Sequence, residues 1–312
     1  MAGAAYGKFW TGLTPNLRGA VWMVGSALGF TAMTTLIKYL GADYPASLQT
    51  FYRQAAGLLV LALAPMIARD WRRAFYTTRP WILLFRSGAG TLATILSFYA
   101  YQKLPLADAN GLSFTRSLWL APLAFFTLGE KLGPLRIGAT LVGFAGVLLM
   151  LTPSGHIALG WAQIAALASA FLFALTIAGM KVMTRDHSAF TILVYAAVLG
   201  VVFATPPALF VWRWPGPVDL LLLAIMGVLG VVTQACYIKG IEIGDAAAMA
   251  PIDYTRLVFA VGAGFVLFGE VPSLRTLAGA AIVIAATLYM TWREHHLTRR
   301  AAAEDVKTVA AG

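Results

Sequence analysis

The stretch Ser113-Phe114-Thr115-Arg116 returns 140 positions later as Asp253-Tyr254-Thr255-Arg256. Gly129-Glu130 returns at the same offset as Gly269-Glu270, and Leu135-Arg136 is echoed by Leu274-Arg275. Upstream, Ala107-Asp108-Ala109 resembles Gly244-Asp245-Ala246 after a shift of three. Self-similarity at a fixed period marks a chain built from copies of one unit. Working outward, both copies lie in long apolar runs. Of the 312 residues, 60% are hydrophobic and 12% charged. Soluble domains carry about twice that charge and less apolar content. A surface so poor in charge cannot face water, so the chain reads as an integral membrane protein.

A spanning helix needs about 20 mostly apolar residues. Ten stretches qualify, at roughly 19–40, 46–68, 81–104, 109–129, 135–152, 160–180, 189–211, 218–238, 246–268 and 275–292. The expected fold is therefore all-α, with ten transmembrane helices. The segments are a cytoplasmic N-terminal stretch (1–18), a first five-helix repeat (19–152), a second (160–292) and a cytoplasmic tail (293–312). Five spans per copy is odd, so the second copy enters from the opposite side. That makes an inverted repeat, an arrangement common among secondary transporters, whose sites lie near the midplane. The stretch before residue 19 carries no cleavable-signal pattern.

Lys and Arg favour cytoplasmic loops. With Arg69, Arg72, Arg73 and Arg79 placed inside, fifteen of the 23 basic residues fall on the inner side and four on the outer edges. Both termini are then cytoplasmic, and the expected location is the inner (plasma) membrane as a multi-pass protein. The net charge of +10 marks topology, and no nucleic-acid partner is expected. The other four basic residues, Arg53, Arg86, Arg116 and Arg256, lie inside spans.

Two of these arginines converge. Arg116 lies eight residues after Asp108, about 12 Å into the membrane; Arg256 lies eleven after Asp245, about 16 Å in from the other face. Half the hydrocarbon core is about 15 Å. A charge there is costly and points to function. A guanidinium grips a carboxylate or phosphate bidentately. Asp253 sits three residues from Arg256, on the same helix face, so that pair neutralising itself is the structural alternative. A coupling proton on Asp253 is another. Ser113 replaces the acid in the first copy, which leaves Arg116 the sharper candidate for an anionic group. Arg86 is expected to snorkel. For Arg53, beside Gln49 and Tyr52, snorkelling and substrate contact stand level.

Phe114, Trp119, Tyr254, Tyr99, Gln234 and Tyr237 are candidates to complete the site by stacking or hydrogen bonding; ordinary packing competes for each. Pro251 and Pro122 are candidate kinks or gates. Asp108 and Asp245 read as N-caps of spans 4 and 9. Glu130 and Glu270 read as turn or cap residues before the next helix. The GxxxG face Gly25–Gly29 suits close helix contact, in a monomer or a homodimer.

The residues around the repeat carry a family resemblance. Leu104-Pro105-Leu106-Ala107-Asp108, the run to Leu128-Gly129-Glu130, and Gly143-Phe144-Ala145-Gly146 resemble the end of an EamA-type repeat of the drug/metabolite transporter superfamily. Ala250-Pro251-Ile252-Asp253 and Leu267-Phe268-Gly269-Glu270 resemble it again. The resemblance covers nearly the whole chain. It implies a central cavity worked by alternating access, and a basic residue near Arg53. The cargo it implies ranges from exported amino acids to imported S-adenosylmethionine, nucleotide sugars or vitamins.

The reading is a transporter of a small polar metabolite, amino-acid-like or otherwise carboxylate-bearing. Uptake of a ring-bearing nucleoside derivative or vitamin is the alternative. A membrane-embedded enzyme or scaffold is the alternative of another class. No Walker A or HExxH pattern occurs, and His156, His187, His295 and His296 lie in loops or the tail. Enzymatic activity, a metal and a cofactor are therefore not expected.

Overall fold

A computed structural model describes residues 14–63, 77, 80–128, 134–152, 159–183, 189–244 and 246–311. Its helices are α1 (Pro15–Tyr39), α2 (Ala46–Leu63), α3 (Pro80–Lys103), α4 (Leu106–Ser113), α5 (Arg116–Leu128) and α6 (Pro134–Met150). After these come α7 (Trp161–Met183), α8 (Ala189–Leu209), α9 (Pro217–Ile243), α10 (Ala246–Asp253), α11 (Thr255–Phe268) and α12 (Leu274–Ala311). A short 3-10 turn, Leu40–Ala42, follows α1.

Local chemistry sets the ends. Thr14 accepts the Leu17 N–H at 3.4 Å and Pro15 opens α1, the position where a missing N–H costs nothing. Ser273 accepts the Thr276 N–H at 3.0 Å at the start of α12. Gly269, at φ 66°, ends α11 in the left-handed region, which suits a residue without a Cβ. The last helix runs on to Ala311, so the described part of the expected tail continues α12 rather than leaving it.

Among the described residues, five helices are long and apolar enough to cross a membrane: Pro15–Ala42, Pro80–Lys103, Pro217–Ile243, Pro251–Phe268 and Leu274–Arg293. Shorter apolar helices cover Ile137–Met150, Trp161–Ile177 and Val194–Leu209. The polarity distribution fits that environment. Leu59, Phe85, Leu141, Val258 and Val266 are each more than 60% exposed. Gln49, Thr50, Thr34, Asn110 and Thr115 are fully buried. In water the exposed apolar area would be an aggregation hazard; against lipid tails it has no such cost. The chain is a multi-pass helical membrane protein.

Packing pairs the two parts of the chain in exchange. Helix α1 packs on α9, and α7 packs on α3; α11 packs on α1, and α5 on α7; α2 meets α8, and α6 meets α12. Two crossings run on glycine. A Cβ at Gly19 would lie 2.9 Å from the Gly240 carbonyl oxygen, and one at Gly279 2.5 Å from that of Gly146. The GxxxG face divides: a Cβ at Gly29 would meet the Thr233 hydroxyl at 2.7 Å, while one at Gly25 would meet nothing within 4 Å. Since the obstacle at Gly279 is backbone, it has nowhere to retreat. Gly279→Ala is expected to cost about 1–3 kcal/mol by overpacking, read as an earlier melting transition in detergent. Gly25→Ala is expected to melt like the parent.

Candidate functional site

Spans 4 and 9 do not run straight. Each is broken at the repeated motif: α4 gives way to α5 at Phe114-Thr115, and α10 to α11 at Tyr254. The turns tighten to 3-10 geometry, with Thr115 N–H on Leu112 O at 3.1 Å, Leu118 N–H on Thr115 O at 2.9 Å, and Leu257 N–H on Tyr254 O at 3.0 Å. The threonine hydroxyls make the same bond in both copies. Thr115 donates to Leu112 O and Thr255 to Ile252 O, each at 2.7 Å. The second break falls three residues beyond Pro251, which lies inside α10, and Gly111 holds the matching place in the first copy. Pro122 is carried inside α5 without interrupting it.

The breaks deliver charge to a cavity of about 680 Å³. Its walls come from α1 (Met23, Ser26, Phe30), α5 (Arg116, Ser117, Leu120), α7 (Phe173, Ile177), α9 (Thr233, Gln234, Tyr237), the second break (Asp253, Tyr254, Arg256) and α12 (Thr287, Met290). At its centre one carboxylate oxygen serves two guanidiniums. Asp253 Oδ2 lies 3.4 Å from Arg256 Nη2 and 3.8 Å from Arg116 Nη2. The two cations differ in setting. Arg256 is 5% exposed, and its guanidinium carbon lies 4.6 Å from the Phe114 ring centre and 5.1 Å from that of Phe30. Those are cation–π distances. Its Nε is buried without an acceptor. The Arg116 side chain is 32% exposed. The trio carries a formal net charge of +1. Arg116 is not without an acid of its own, because the fold brings it Asp253 from the other copy.

Of the residues singled out in the sequence, Arg116, Arg256, Asp253, Tyr254, Gln234 and Tyr237 line the cavity. Phe114 is 1% exposed and acts from behind, beneath Arg256 and edge-on to Tyr254 at 4.8 Å. The others lie outside the lining. The Ser113 hydroxyl is turned back onto Asn110 O at 2.7 Å. Trp119 packs among Phe144 and Phe171 at 4.8 and 5.3 Å. Tyr99 packs against the core. Arg53 lies over the Phe98 ring at 5.9 Å, with its Nη1 3.5 Å from Gln54 Oε1. Gly230 leaves room for it: a Cβ there would lie 3.0 Å from Arg53 Nε. The Arg86 Nε donates to the Thr176 carbonyl of α7 at 3.3 Å.

The acids at the span ends also differ from expectation. Pro105 holds the N-cap position of α4, and Asp108 sits in the first turn, with Oδ1 buried and unpartnered. Glu270 does not cap the following helix, which Ser273 does; it accepts the Leu106 N–H of α4 at 2.8 Å and pairs with Lys38. Asp245 and Glu130 lie outside the described residues. Among the described residues, no three His, Cys, Asp or Glu side chains converge as for a metal.

Sequence reasoning missed Phe30, Ser26, Thr233 and Phe173. Ser26 donates to the Thr233 carbonyl at 3.0 Å, and the Thr233 hydroxyl, in the wall, is buried without a partner. Nothing in a run of small and apolar residues sets these apart; only their position on facing helices does.

A many-helix membrane protein with a polar, aromatic-walled cavity at paired helix breaks has the build of a small-molecule carrier. The comparisons name the family. The model of the EamA-like transporter family matches twice, at residues 17–152 and 160–292, and the chain belongs to that family. It is 29% identical to an S-adenosylmethionine uptake transporter of Rickettsia bellii, over 88% of this chain and 94% of that one. A riboflavin transporter of Rhizobium johnstonii is 28% identical, over 91% and 94%. The pseudopaline exporter CntI of Pseudomonas aeruginosa is 26% identical, over 88% and 95%. A protein of known crystal structure shares the fold, with TM-score 0.58 and 18% identity over 88% of this chain and 98% of that chain. The protein is a membrane metabolite transporter.

Proposed function

We propose that this protein carries a small organic metabolite with a carboxylate or other anionic group through the central cavity by alternating access. The observation that carries this reading is the trio Arg116–Asp253–Arg256. Two cations from the two family copies share one acid, so the cavity keeps one uncompensated positive charge. The more exposed guanidinium, Arg116, is the group free to take a second carboxylate in a bidentate grip.

The aromatic walls add a second element. A bare amino acid would fill little of about 680 Å³, a volume in the range of drug-sized ligands. Phe30, Tyr254, Tyr237 and Phe173 line the cavity, and aromatic side chains pack well against a planar ring. A cargo with both a carboxylate and a ring uses both features; S-adenosylmethionine, for which one relative is named, has both, while riboflavin, for which another is named, has the ring alone.

The carrier on this reading has ten spans in two inverted five-helix repeats, 19–152 and 160–292, set in the plasma membrane with both termini cytoplasmic. Exchange-symmetric packing and the matched threonine bonds at the two breaks support two related copies, and an odd number of spans in each would invert the second. On that topology the cavity faces inward. It is lined by residues 23–30 of α1, the C-terminal parts of α7 and α9, and residues 287–291 of α12, which fall toward the cytoplasmic ends of the proposed spans. Side-chain bonds tie helices together at the other end. Tyr44 donates to Asp219 at 2.8 Å, and Gln102 reaches the Tyr44 carbonyl at 3.1 Å.

A thermal-shift screen of purified protein against amino acids, S-adenosylmethionine, riboflavin and nucleosides tests the cargo, followed by flux into proteoliposomes. Stabilisation and flux are expected for a carboxylate-bearing ring compound. Stabilisation by uncharged nucleosides alone, with no carboxylate requirement, would overturn the anion reading. Ligand-bound protein gains stability by RT ln(1 + [L]/Kd), so a ligand at 100 times its Kd adds about 2.7 kcal/mol.

A further inference from the structure

At the end of the bundle away from the cavity, one ion pair joins the two family copies. Lys38, in the last turn of α1, pairs with Glu270, just past α11. Their side chains are 15% and 16% exposed. Lys38 belongs to the copy spanning 17–152 and Glu270 to that spanning 160–292. Each partner is held from elsewhere as well. Lys38 Nζ donates to the Leu104 carbonyl at the end of α3 at 2.6 Å and lies 5.4 Å from the Phe268 ring centre. The second Glu270 oxygen accepts the Leu106 N–H that opens α4 at 2.8 Å. Two side chains thus fasten α1, the α3–α4 turn and α11 at one point.

Those elements all lead to the cavity. Helix α1 carries Phe30 and Ser26, α4 leads into the break before Arg116, and α11 begins with Thr255 and Arg256. From Arg256 to Glu270 is fourteen residues, and from Phe30 to Lys38 eight. The pair therefore sits beyond the cavity along α1 and α11, where an opening to the other side would have to pass.

We propose that the Lys38–Glu270 pair is the outer latch of this transporter. Closed, it holds the two copies together over the cavity. Released, it lets α1 and α11 part and exposes the site to the outer face. Charge attraction fits a latch: a part-buried pair is strong enough to bias two states and weak enough to be broken in each cycle. The proposal rests on the alternating-access reading, and the test below separates the two.

The test is side-specific labelling with a membrane-impermeant maleimide, which needs no known cargo. Ser117, in the cavity wall, is replaced by cysteine in a Cys236→Ser background. Vesicles of both orientations are labelled. The parent is expected to label from the inner face and poorly from the outer. Lys38→Glu and Glu270→Lys are each expected to raise outer labelling by roughly fivefold or more, the population shift that loss of a part-buried pair supports. The exchanged double variant, Lys38→Glu with Glu270→Lys, is expected to return to the parent pattern. Outer labelling unchanged in both single variants, or left high in the double, overturns the latch. Lys38→Met and Glu270→Gln remove charge without reversing it, and they decide the matter if the reversed variants fail to fold. A parent that labels from neither face, or from the outer face alone, overturns the inward-facing cavity itself, and is a different result from a latch without effect.

Discussion

Replacing Arg116 with alanine is expected to lower transport by roughly 10- to 100-fold while leaving the yield of folded protein close to the parent's. The reason lies in how the two cavity arginines are held. Arg116 makes a long contact with Asp253, at 3.8 Å, and its side chain is 32% exposed toward the cavity. Its removal leaves Asp253 still paired with Arg256 at 3.4 Å. The fold loses little, whereas the cargo loses a charge-assisted grip worth about 1.5–3 kcal/mol. Arg256→Ala is the contrasting case. That side chain is wedged between Phe114 and Phe30, and its loss leaves a void as well as an unshared acid. Folded yield and transport are expected to fall together. Flux into proteoliposomes and monodispersity in detergent read the two effects apart. If Arg116→Ala keeps full flux, the anion grip assigned to it is wrong.

Asp253→Ala is expected to be the most destabilising single change in the cavity. The acid is 17% exposed and sits between two guanidiniums, one of them almost wholly buried. Removing one partner of a buried pair costs about 3–5 kcal/mol, because the remaining charge stays where water cannot reach it. Here Arg256 would keep only its two aromatic neighbours. The measurement is the thermal melt of purified protein, with Asp253→Glu as the control. The longer acid keeps the charge and is expected to recover much of the loss. Equal melting of the parent and Asp253→Ala would mean that the two arginines do not depend on this carboxylate. The same variant reports on transport. With both cations uncompensated, a cargo anion would bind more tightly from the inner face and leave more slowly. Whatever folded protein remains is therefore expected to show a lowered turnover.

How far each element was readable follows from what made it readable. The apolar runs decided the helices, since a 20-residue run has one economical structure in lipid. The Thr-Arg motif at a fixed offset pointed to the two copies and to the charges at the centre, because an arginine so deep in an apolar run is costly. The same logic could not decide between site and packing for Arg53 and Trp119. Depth along a span says how far a side chain lies from water. It does not say which way the helix is turned. Arg86 lies against α7 and Arg53 against α9, and a one-dimensional reading holds neither contact. The helix breaks were half visible. Pro251 marked one, but its counterpart at Phe114 has no proline near it, and there Thr115 and the 3-10 bonds do the work.

The sequence alone was enough to determine a membrane-embedded helical chain in two related parts, with charge at the middle of each. Those properties depend on composition and spacing, which a linear reading contains. Only the tertiary structure decided which charges meet. It gave Asp253 to both arginines, turned Glu270 away from the helix it precedes in sequence, and set it on Lys38, 232 positions earlier. It also made wall residues of Phe30 and Thr233, which are unremarked in their own runs. The physical reason is common to all of these. Hydrophobicity acts residue by residue and is read locally, whereas an ion pair or a cavity exists only when helices distant in sequence are brought together at a particular rotation.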